Sequence, residues 1–230
     1  MKIFDSELLA RKQEKLVTDG LLFWLDGRDT LYGIDEGSTS GAYRNAYMYD
    51  RVGSQTVSFS NSNNPSASLV TSSAPFIKYI GDSGAIGIKT MCPSISGVLA
   101  IEVVCDAINR AYWCMVDTNI STGRIVFAKI SSPRVYIEGW RVITGTPTHF
   151  VFTADPDTNT PRIYQNGIDR TEGTGGQCSA FTVNDIINPY NPINEYGINV
   201  GCVRLYSRGL TAEEVRQNMA YEQSIGRLTA

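Results

Sequence analysis

The sequence has little charge and a single histidine, and both shortages exclude classes of function. Charged residues make up 19% of the 230 residues, and the formal net charge is -3. Nucleic-acid binding needs a basic surface, and a membrane span needs about 20 consecutive apolar residues; neither is present. We therefore expect neither nucleic acid nor a membrane as partner. His149 lies in a predicted strand with no serine-rich elbow nearby, which does not favour a nucleophilic triad.

Cysteine is also scarce and scattered. The five cysteines contain no C-x-x-C pair, so neither a disulfide framework nor a zinc site is indicated. They are Cys92, Cys105, Cys114, Cys178 and Cys202. We predict free, buried thiols. Cys105 and Cys114 are the pair that we expect to face each other across neighbouring strands.

The opening residues lack the uninterrupted apolar segment of a signal peptide. We therefore expect synthesis and folding in a cytoplasm. Leu8, Leu9 and Leu16 form a thin apolar stripe after a capping Asp5 or Ser6, which predicts a short helix. We predict a helical extension over residues 1–19, docked on the body or paired with its own copies, and one domain over residues 20–230.

From residue 20 onward the pattern is that of a β-protein. About a dozen short apolar or alternating segments, separated by turn residues, predict an all-β sandwich. Residues 97–106 (GVLAIEVVCD) are predicted to form a central strand, apolar on both faces except at Glu102. Asn166-Gly167 tolerates positive φ and predicts a tight hairpin turn.

The chain closes on a predicted helix with strong end signals. Thr211 and Glu214 have the spacing of a capping box, and Leu210 and Val215 that of a hydrophobic staple. Gly226 is predicted to end the helix. Val215, Met219 and Ile225 are its predicted buried edge. We expect the helix to cover an open end of the core.

Four segments resemble a known superfamily. GCVRLYSRGLTAEEVRQNMAYEQ is similar to the closing strand and helix of laminin-G-like jelly rolls of the concanavalin A-like lectin/glucanase superfamily. Three earlier segments are similar to motifs of the same superfamily and occur in the same order along the chain. They are GLLFWLDGRD, YMYDRVGSQTVSFSN (without the usual Asn after Gly53) and THFVFTADPDTNTPRIYQNG. The resemblance implies a two-sheet antiparallel jelly roll. Lectin-like domains of this kind occur among structural and tail proteins of bacteriophages.

The carboxylates give no support for catalysis. Glucanases that the chain resembles carry Glu-x-Asp-x-Glu or Glu-x-Asp-x-x-Glu on one strand, and glycoside hydrolysis needs such a pair. Here Val104 stands where an Asp should follow Glu102, and Glu138 is followed by Gly and Trp. We therefore predict that the protein is not an enzyme; a glycoside hydrolase is the least favoured alternative.

Two aspartate groups are weak calcium candidates. Asp155, Asp157 and Asn159 alternate as at the start of a calcium loop, but Thr160 and Asn166 stand where Gly and Glu belong. The same residues also suit an ordinary hairpin loop. Asp26 and Asp29 are the second group. We predict no cofactor and no metal.

Sugar binding needs exposed aromatic faces beside polar groups. In RVYIEGW, one face carries Arg134, Tyr136, Glu138 and Trp140. The candidate carbohydrate-binding residues are Tyr136, Glu138, Trp140, Tyr190 and Tyr196. The loop that carries Tyr43 and Tyr47 is a further candidate location for sugar binding. Trp24 and Trp113 are instead predicted to be core residues. An ordinary solvent face or a subunit contact stays an open alternative.

Together these observations favour a non-catalytic, lectin-like virion protein of a phage tail, fibre or capsid surface. Its expected ligand is a glycan on a bacterial surface. The alternative is a purely structural virion subunit, a homo-oligomer or a partner of other virion proteins, in which the aromatic stripe is an interface. Both hypotheses place the protein in the virion after assembly in the host cytoplasm.

Overall fold

A computed structural model describes residues 15–29, 32, 47–53, 55–60, 66–70, 76–80, 89–108, 113–120, 123–127, 147–171, 177–178, 180–185 and 197–229. Within these ranges the chain forms fourteen strands and one helix. They are β1 (Leu21–Asp26), β2 (Tyr47–Tyr49), β3 (Thr56–Ser60), β4 (Ser66–Val70), β5 (Phe76–Ile80), β6 (Lys89–Val98), β7 (Ala100–Ile108), β8 (Trp113–Ile120), β9 (Gly123–Phe127), β10 (Thr148–Ala154), β11 (Pro161–Gln165), β12 (Ile168–Asp169), β13 (Phe181–Asp185), β14 (Gly197–Tyr206) and α1 (Ala212–Ser224).

The strands form two antiparallel sheets. The eight-stranded sheet has the order β12-β11-β10-β7-β14-β5-β4, with β1 also paired to β14; the six-stranded sheet has the order β2-β3-β6-β13-β8-β9. β14 lies at the centre of the larger sheet. Its first half pairs with β5 and its second half with β1, while β7 follows it along nearly its whole length.

The two sheets enclose an apolar core. The central strands of the larger sheet bury their inner-face side chains completely. These are Phe23 and Leu25 of β1, Ile101 and Val103 of β7, and Val203 and Leu205 of β14. Met48 and Val183 contribute from the smaller sheet, and β1 and β14 both contact β6. An apolar core enclosed between the inner faces of two antiparallel sheets is that of a sandwich. The predicted all-β, two-sheet jelly roll is therefore confirmed.

Most local strand and turn predictions agree with the structure. Asn166 and Gly167 have φ of 49° and 71°, and they join Gln165 to its partner Ile168. Two consecutive positive φ values are those of a type I′ hairpin turn. The segment predicted as one strand over residues 97–106 is in fact divided: Val98 ends β6 and Ala100 begins β7. Gly97, with φ of 78°, permits the change of direction.

The predicted pairing of Cys105 with Cys114 is wrong. Cys105 lies on β7 of the eight-stranded sheet, and Cys114 lies on β8 of the six-stranded sheet. Sequence proximity suggested neighbouring strands, but the chain crosses between the sheets after β7. The described free cysteines are Cys202, which is buried, and Cys178, which is partly exposed.

α1 begins and ends as its sequence signals predict. Oγ1 of Thr211 accepts a 3.2 Å hydrogen bond from the Glu214 amide, and the Thr211 amide donates a 2.9 Å bond to the Glu214 carboxylate. Leu210 and Val215 are buried in the same cluster, as the staple requires. At the other end, Gly226 has φ of 76° and donates to the Gln223 carbonyl. The Arg227 amide donates to the Glu222 carbonyl, which completes a Schellman motif.

The position of α1 differs from the prediction. α1 lies on the outer face of the eight-stranded sheet and not over an open end of the core. Asn218 and Glu222 are fully buried against that sheet, whereas Met219 and Ile225 are only partly buried. The buried edge is therefore largely polar, which apolar periodicity could not predict.

The segment before β1 lies against α1. The Val17 amide donates a 2.9 Å hydrogen bond to Oδ1 of Asn218, and Nε2 of Gln217 donates to the Lys15 carbonyl over 2.7 Å. Residues 1–14 of the predicted helical extension lie outside the described residues. Residues 15–19, which include Leu16, are not helical, so the extension is not helical as far as residue 19. The division at residues 19 and 20 stays a prediction.

Candidate functional site

Three tyrosines form an exposed cluster at the edge of the six-stranded sheet. The ring centroids of Tyr32, Tyr47 and Tyr49 are mutually 5.5, 5.5 and 5.6 Å apart. Tyr32 stacks on Tyr47, and the other two contacts are edge-on. Tyr32 and Tyr49 are 42% and 44% exposed. We call these three residues the tyrosine platform.

The alternation of β2 places the platform on the outer face. Met48 is fully buried in the core, so its neighbours Tyr47 and Tyr49 lie on the opposite side of the strand. Tyr32 joins them through two backbone hydrogen bonds with Tyr47, of 2.9 and 3.0 Å. A hydrogen bond with the Tyr47 side chain raises the pKa of Tyr49. The rings are thus positioned both by the backbone and by each other.

Asp50 anchors the turn that follows the platform. Its carboxylate accepts hydrogen bonds from the amides of Val52 and Gly53, at 2.8 and 2.7 Å, and from Trp24 on β1 at 3.1 Å. Asp50 is 3% exposed. This residue belongs to the YMYDRVG motif, so its role here is to fasten the β2–β3 turn to the other sheet.

Arg51 lies beside the platform in the chain, but its charge is already paired. Its Nε and Nη2 donate to the two carboxylate oxygens of Asp29, at 2.7 and 2.6 Å. Nη1 lies 3.1 Å from Oδ2 of Asp26, and the guanidinium carbon is 4.5 Å from the centroid of Trp24. Val52, which is 45% exposed, extends the apolar surface after Arg51.

The sequence-based site residues do not enter this cluster. Tyr136, Glu138, Trp140, Tyr190 and Tyr196 lie outside the described residues, so they stay predictions. Tyr43 does too. Of the platform, only Tyr47 was named from the sequence. The alternation of Tyr47 and Tyr49 around an apolar Met48 was the available signal, whereas Tyr32 joins only through tertiary pairing.

A second notable cluster is ionic and fully buried beneath α1. Arg204 on β14 donates to Glu102 on β7 over 2.8 Å and also pairs with Glu222 of α1. Arg227 pairs with Glu222 over 2.6 Å and with Asp26. All five side chains are completely buried. Because each charge has an opposite partner, the cost of its desolvation is offset.

Within this buried ionic cluster, Glu102 is the acid that contacts the largest number of different polar side chains. Its Oε1 is also 2.8 Å from Nε2 of His149, and Oε2 accepts from Tyr206 at 2.9 Å and from Asn218 at 2.8 Å. Burial would raise the pKa of Glu102, but the charge of Arg204 and the hydrogen bonds outweigh it and lower the pKa to about 2. Nδ1 of His149 is buried without a hydrogen-bond partner.

Trp24 is not a core residue as predicted. It lies on the outer face of the sheet, opposite Arg204 in register, and is partly exposed. The Arg204 guanidinium is 5.0 Å from its ring centroid, and that of Arg51 is 4.5 Å away. A guanidinium group that lies over the face of a Trp ring is attracted electrostatically by the ring, which is a cation–π interaction. Trp24 therefore connects the buried ionic cluster to the surface. The side chain of Trp113 lies outside what the structure describes.

The calcium candidates use their oxygens within the protein. Oδ1 of Asp155 accepts from the amides of Asp157 and Thr158, each at 3.0 Å, and Oδ2 accepts from Arg162 at 3.1 Å. These bonds lower the pKa of Asp155 to about 2. The arrangement is that of the hairpin loop between β10 and β11, which the sequence also allowed.

Asp26, of the second candidate pair, is held by Arg28, Arg51 and Arg227. Burial would raise its pKa, but the hydrogen bonds from Arg28 and the charges of Arg227 and Arg51 lower it to about 2. Within the described ranges, no three His, Cys, Asp or Glu side chains come together as metal ligands would.

A cleft of about 520 Å³ opens beside the start of α1. Arg208 lines it and pairs with Asp19 at 2.7 Å and with Glu214 at 2.6 Å. Asp155, which also lines the cleft, is engaged by its own loop and by Arg162. The charged side chains that line this cleft are therefore already paired.

Solved structures share this fold at low sequence identity. Trypanosoma rangeli sialidase in complex with the inhibitor DANA matches with a TM-score of 0.57 at 15% identity, over 95% of this chain and 37% of the sialidase chain. The same sialidase with sialic acid matches with a TM-score of 0.54 at 14% identity, over 92% and 34%. The binding domain of botulinum neurotoxin DC in complex with SialylT matches at 0.53 and 11% identity, over 90% and 52%.

These comparisons establish a β-sandwich jelly roll and nothing finer. The chain spans just over a third of the sialidase it matches. No family model matches the sequence. No curated protein matches it either. In the part of the chain that is described, no helix is long and apolar enough to cross a membrane.

The same comparisons contradict the prediction that the protein is not an enzyme. That prediction was made from the missing glucanase carboxylate strand, yet the fold recurs in chains that are sialidases. Catalytic groups can come together from distant strands, so a single-strand motif is a poor test of catalysis. Glu102 and His149 illustrate the point, since they meet across 47 residues of sequence.

Proposed function

We propose that this chain is a carbohydrate-binding β-sandwich domain and that the tyrosine platform is its sugar-contacting surface. The observation that carries the proposal is the exposed cluster of Tyr32, Tyr47 and Tyr49 on the outer face of the smaller sheet. Tyrosine offers an apolar ring and a polar hydroxyl together. A pyranose, with an apolar face and a rim of hydroxyl groups, is complementary to that surface.

Two further observations support the proposal. The platform is held by backbone bonds between Tyr32 and Tyr47, by contacts among the three rings and by Asp50, which anchors the turn after Tyr49. A preorganised surface binds at lower entropic cost. In addition, the similar chains of T. rangeli sialidase and botulinum neurotoxin DC were solved with sialic acid and SialylT bound.

The experiment is a glycan screen with wild-type protein, Tyr32→Ala and Tyr49→Ala. Each substitution removes an exposed ring from the proposed contact surface. Truncation of a contact residue to alanine costs on the order of 1 kcal/mol, so we expect affinity to fall by up to about tenfold. Ile168→Ala is the matched control, because Ile168 is 53% exposed but lies on β12 of the other sheet. Unchanged binding in both tyrosine variants would exclude the platform as the site.

The finer part of the proposal concerns the biological setting. The closing motif resembles that of laminin-G-like jelly rolls, and lectin-like domains of this kind occur among bacteriophage structural proteins. This supports a virion protein that binds a bacterial surface glycan. Mass spectrometry of purified particles tests this setting. If the tyrosine variants instead lose a defined homo-oligomer, seen by light scattering, while no glycan binds, the platform is a subunit interface of a structural virion protein.

A further inference from the structure

We infer that the tyrosine platform receives one uncharged pyranose unit at the end of a glycan, not an extended stretch of polysaccharide and not a sialic acid. This inference rests on the proposed function and adds the ligand class. Three observations carry it: the shape of the platform, the pairing of the neighbouring cation and the polar groups that surround the rings.

The tyrosine platform is about as long as it is wide. The three ring centroids form a nearly equilateral triangle with sides of 5.5, 5.5 and 5.6 Å. An extended polysaccharide would be matched by aromatic rings spread along a line, so that successive sugars each meet one ring. A triangle of this size instead presents one patch, about as broad as a single sugar ring. The shape therefore selects one terminal unit.

In the described part of the chain, the cation that follows the platform in sequence is Arg51, and its charge is already paired. A sialic acid carries a carboxylate, and protein sites hold carboxylates best with a guanidinium that is free to donate two hydrogen bonds. Arg51, two residues after Tyr49, already makes both such bonds to Asp29 and a further contact with Asp26. Binding a second carboxylate there would require breaking an existing ion pair.

The surroundings of the rings suit a neutral sugar. Thr56 and Ser58 lie opposite Tyr49 and Tyr47 in the register of β3, and tyrosine, threonine and serine hydroxyl groups both donate and accept hydrogen bonds. Val52, in the turn between β2 and β3, adds exposed apolar surface. These groups can pair with sugar hydroxyls without a formal charge on either partner.

The test is a calorimetric or NMR titration with two series of probes. Methyl glucoside, maltose and maltohexaose extend a neutral chain, while methyl galactoside, lactose and 3′-sialyllactose add a sialic acid at the end. The wild type is compared with Tyr49→Ala and with Ile168→Ala. Arg44→Gln is included to test whether a second cation holds the sialic acid carboxylate. Arg44 lies three residues before Tyr47 in the sequence and outside the described residues.

We expect at least one neutral series to bind, with dissociation constants that change less than about threefold with chain length. Sialylation should not strengthen binding, and Tyr49→Ala should weaken every interaction while Ile168→Ala leaves it unchanged. A gain of about tenfold or more from maltose to maltohexaose, or a preference for 3′-sialyllactose that Arg44→Gln removes, would overturn the inference and leave the proposed function intact. If neither these probes nor the glycan screen gives binding, both fail.

Discussion

Arg204 donates a 2.8 Å hydrogen bond to Oε1 of Glu102, and both side chains are completely buried between the eight-stranded sheet and α1. The two residues are 102 positions apart in the sequence. The pair joins the two central strands β14 and β7 on their outer face, and Glu222 links it to the helix. Docking of α1 therefore depends on charge pairing as well as on apolar contact.

Breaking this pair is expected to destabilise the protein strongly. Arg204→Met leaves Glu102 and Glu222 buried without their shared cation, and such a loss costs about 3–5 kcal/mol. Urea denaturation measures it. Arg162→Met is the control, since Arg162 pairs with Asp155 where the side chains are 36% and 21% exposed, and exposed pairs contribute about 0–1 kcal/mol. Similar losses in both variants would contradict the assigned role of the buried ionic cluster.

Stability is expected to fall in acid between about pH 4.5 and pH 2. The pKa values of Glu102 and Asp26 lie at about 2 in the folded protein, below the ordinary 4.5 and 3.8. The unfolded chain therefore binds protons first, so the contribution of these groups is complete above pH 4.5 and is lost as the pH falls toward 2. Each contributes on the order of 2–3 kcal/mol.

Unfolding curves at pH 7, 4 and 2.5 test this dependence. Asp26→Asn removes one of these two buried groups. It should start from lower stability but lose less of it between pH 4.5 and 2. Asp157→Asn, in the exposed loop after β10, should follow the wild-type curve. Equal free energies of unfolding of the wild type at pH 7 and pH 2.5 would contradict the stabilising role of the ionised Glu102 and Asp26.

The capping box is expected to contribute less to the free energy of unfolding, because it acts only at the start of α1. Thr211→Ala removes the hydroxyl that accepts from the Glu214 amide, which costs typically about 1 kcal/mol. Thr229→Ala is the control, because Thr229 is exposed and only its backbone carbonyl bonds to Gln223; its effect should stay within about 0.5 kcal/mol. Equal effects on the melting temperature would mean that the cap does not limit the stability of α1.

Gly209 is expected to tolerate no side chain. A Cβ at this position would lie 2.0 Å from the Ala154 carbonyl oxygen, so Gly209→Ala must push β10 away from the turn before α1. Gly226→Ala is the comparison: its Cβ would meet nothing within 4 Å, and only the left-handed φ of 76° is strained, at about 1–2 kcal/mol. Thermal unfolding should therefore show a larger loss for Gly209→Ala, and the reverse order would refute the steric argument.

Predictions from neighbouring residues were the most successful. Thr211 and Glu214 are three residues apart, and Asn166 and Gly167 are adjacent, so their backbone preferences and hydrogen bonds need no information from the rest of the chain. The division of residues 97–106 between two strands was missed because both segments are apolar.

Contacts between distant strands could not be predicted in this way. The buried edge of α1 was assigned to apolar residues, yet Asn218 and Glu222 occupy it because Glu102 and Arg204 lie beneath them. Cys105 and Cys114 were expected on neighbouring strands, but the order of strands placed them in different sheets. A polar helix face is informative only when its partners are known.

By itself, then, the sequence determined the all-β class, the tight hairpin and the two ends of α1, because these depend on residues a few positions apart. Only the tertiary structure decided that Tyr32 joins Tyr47 and Tyr49, and that Arg227 meets Asp26 across 201 residues. The physical reason is that strand order and sheet packing select such contacts, and they depend on the free energy of the whole fold rather than on any local preference.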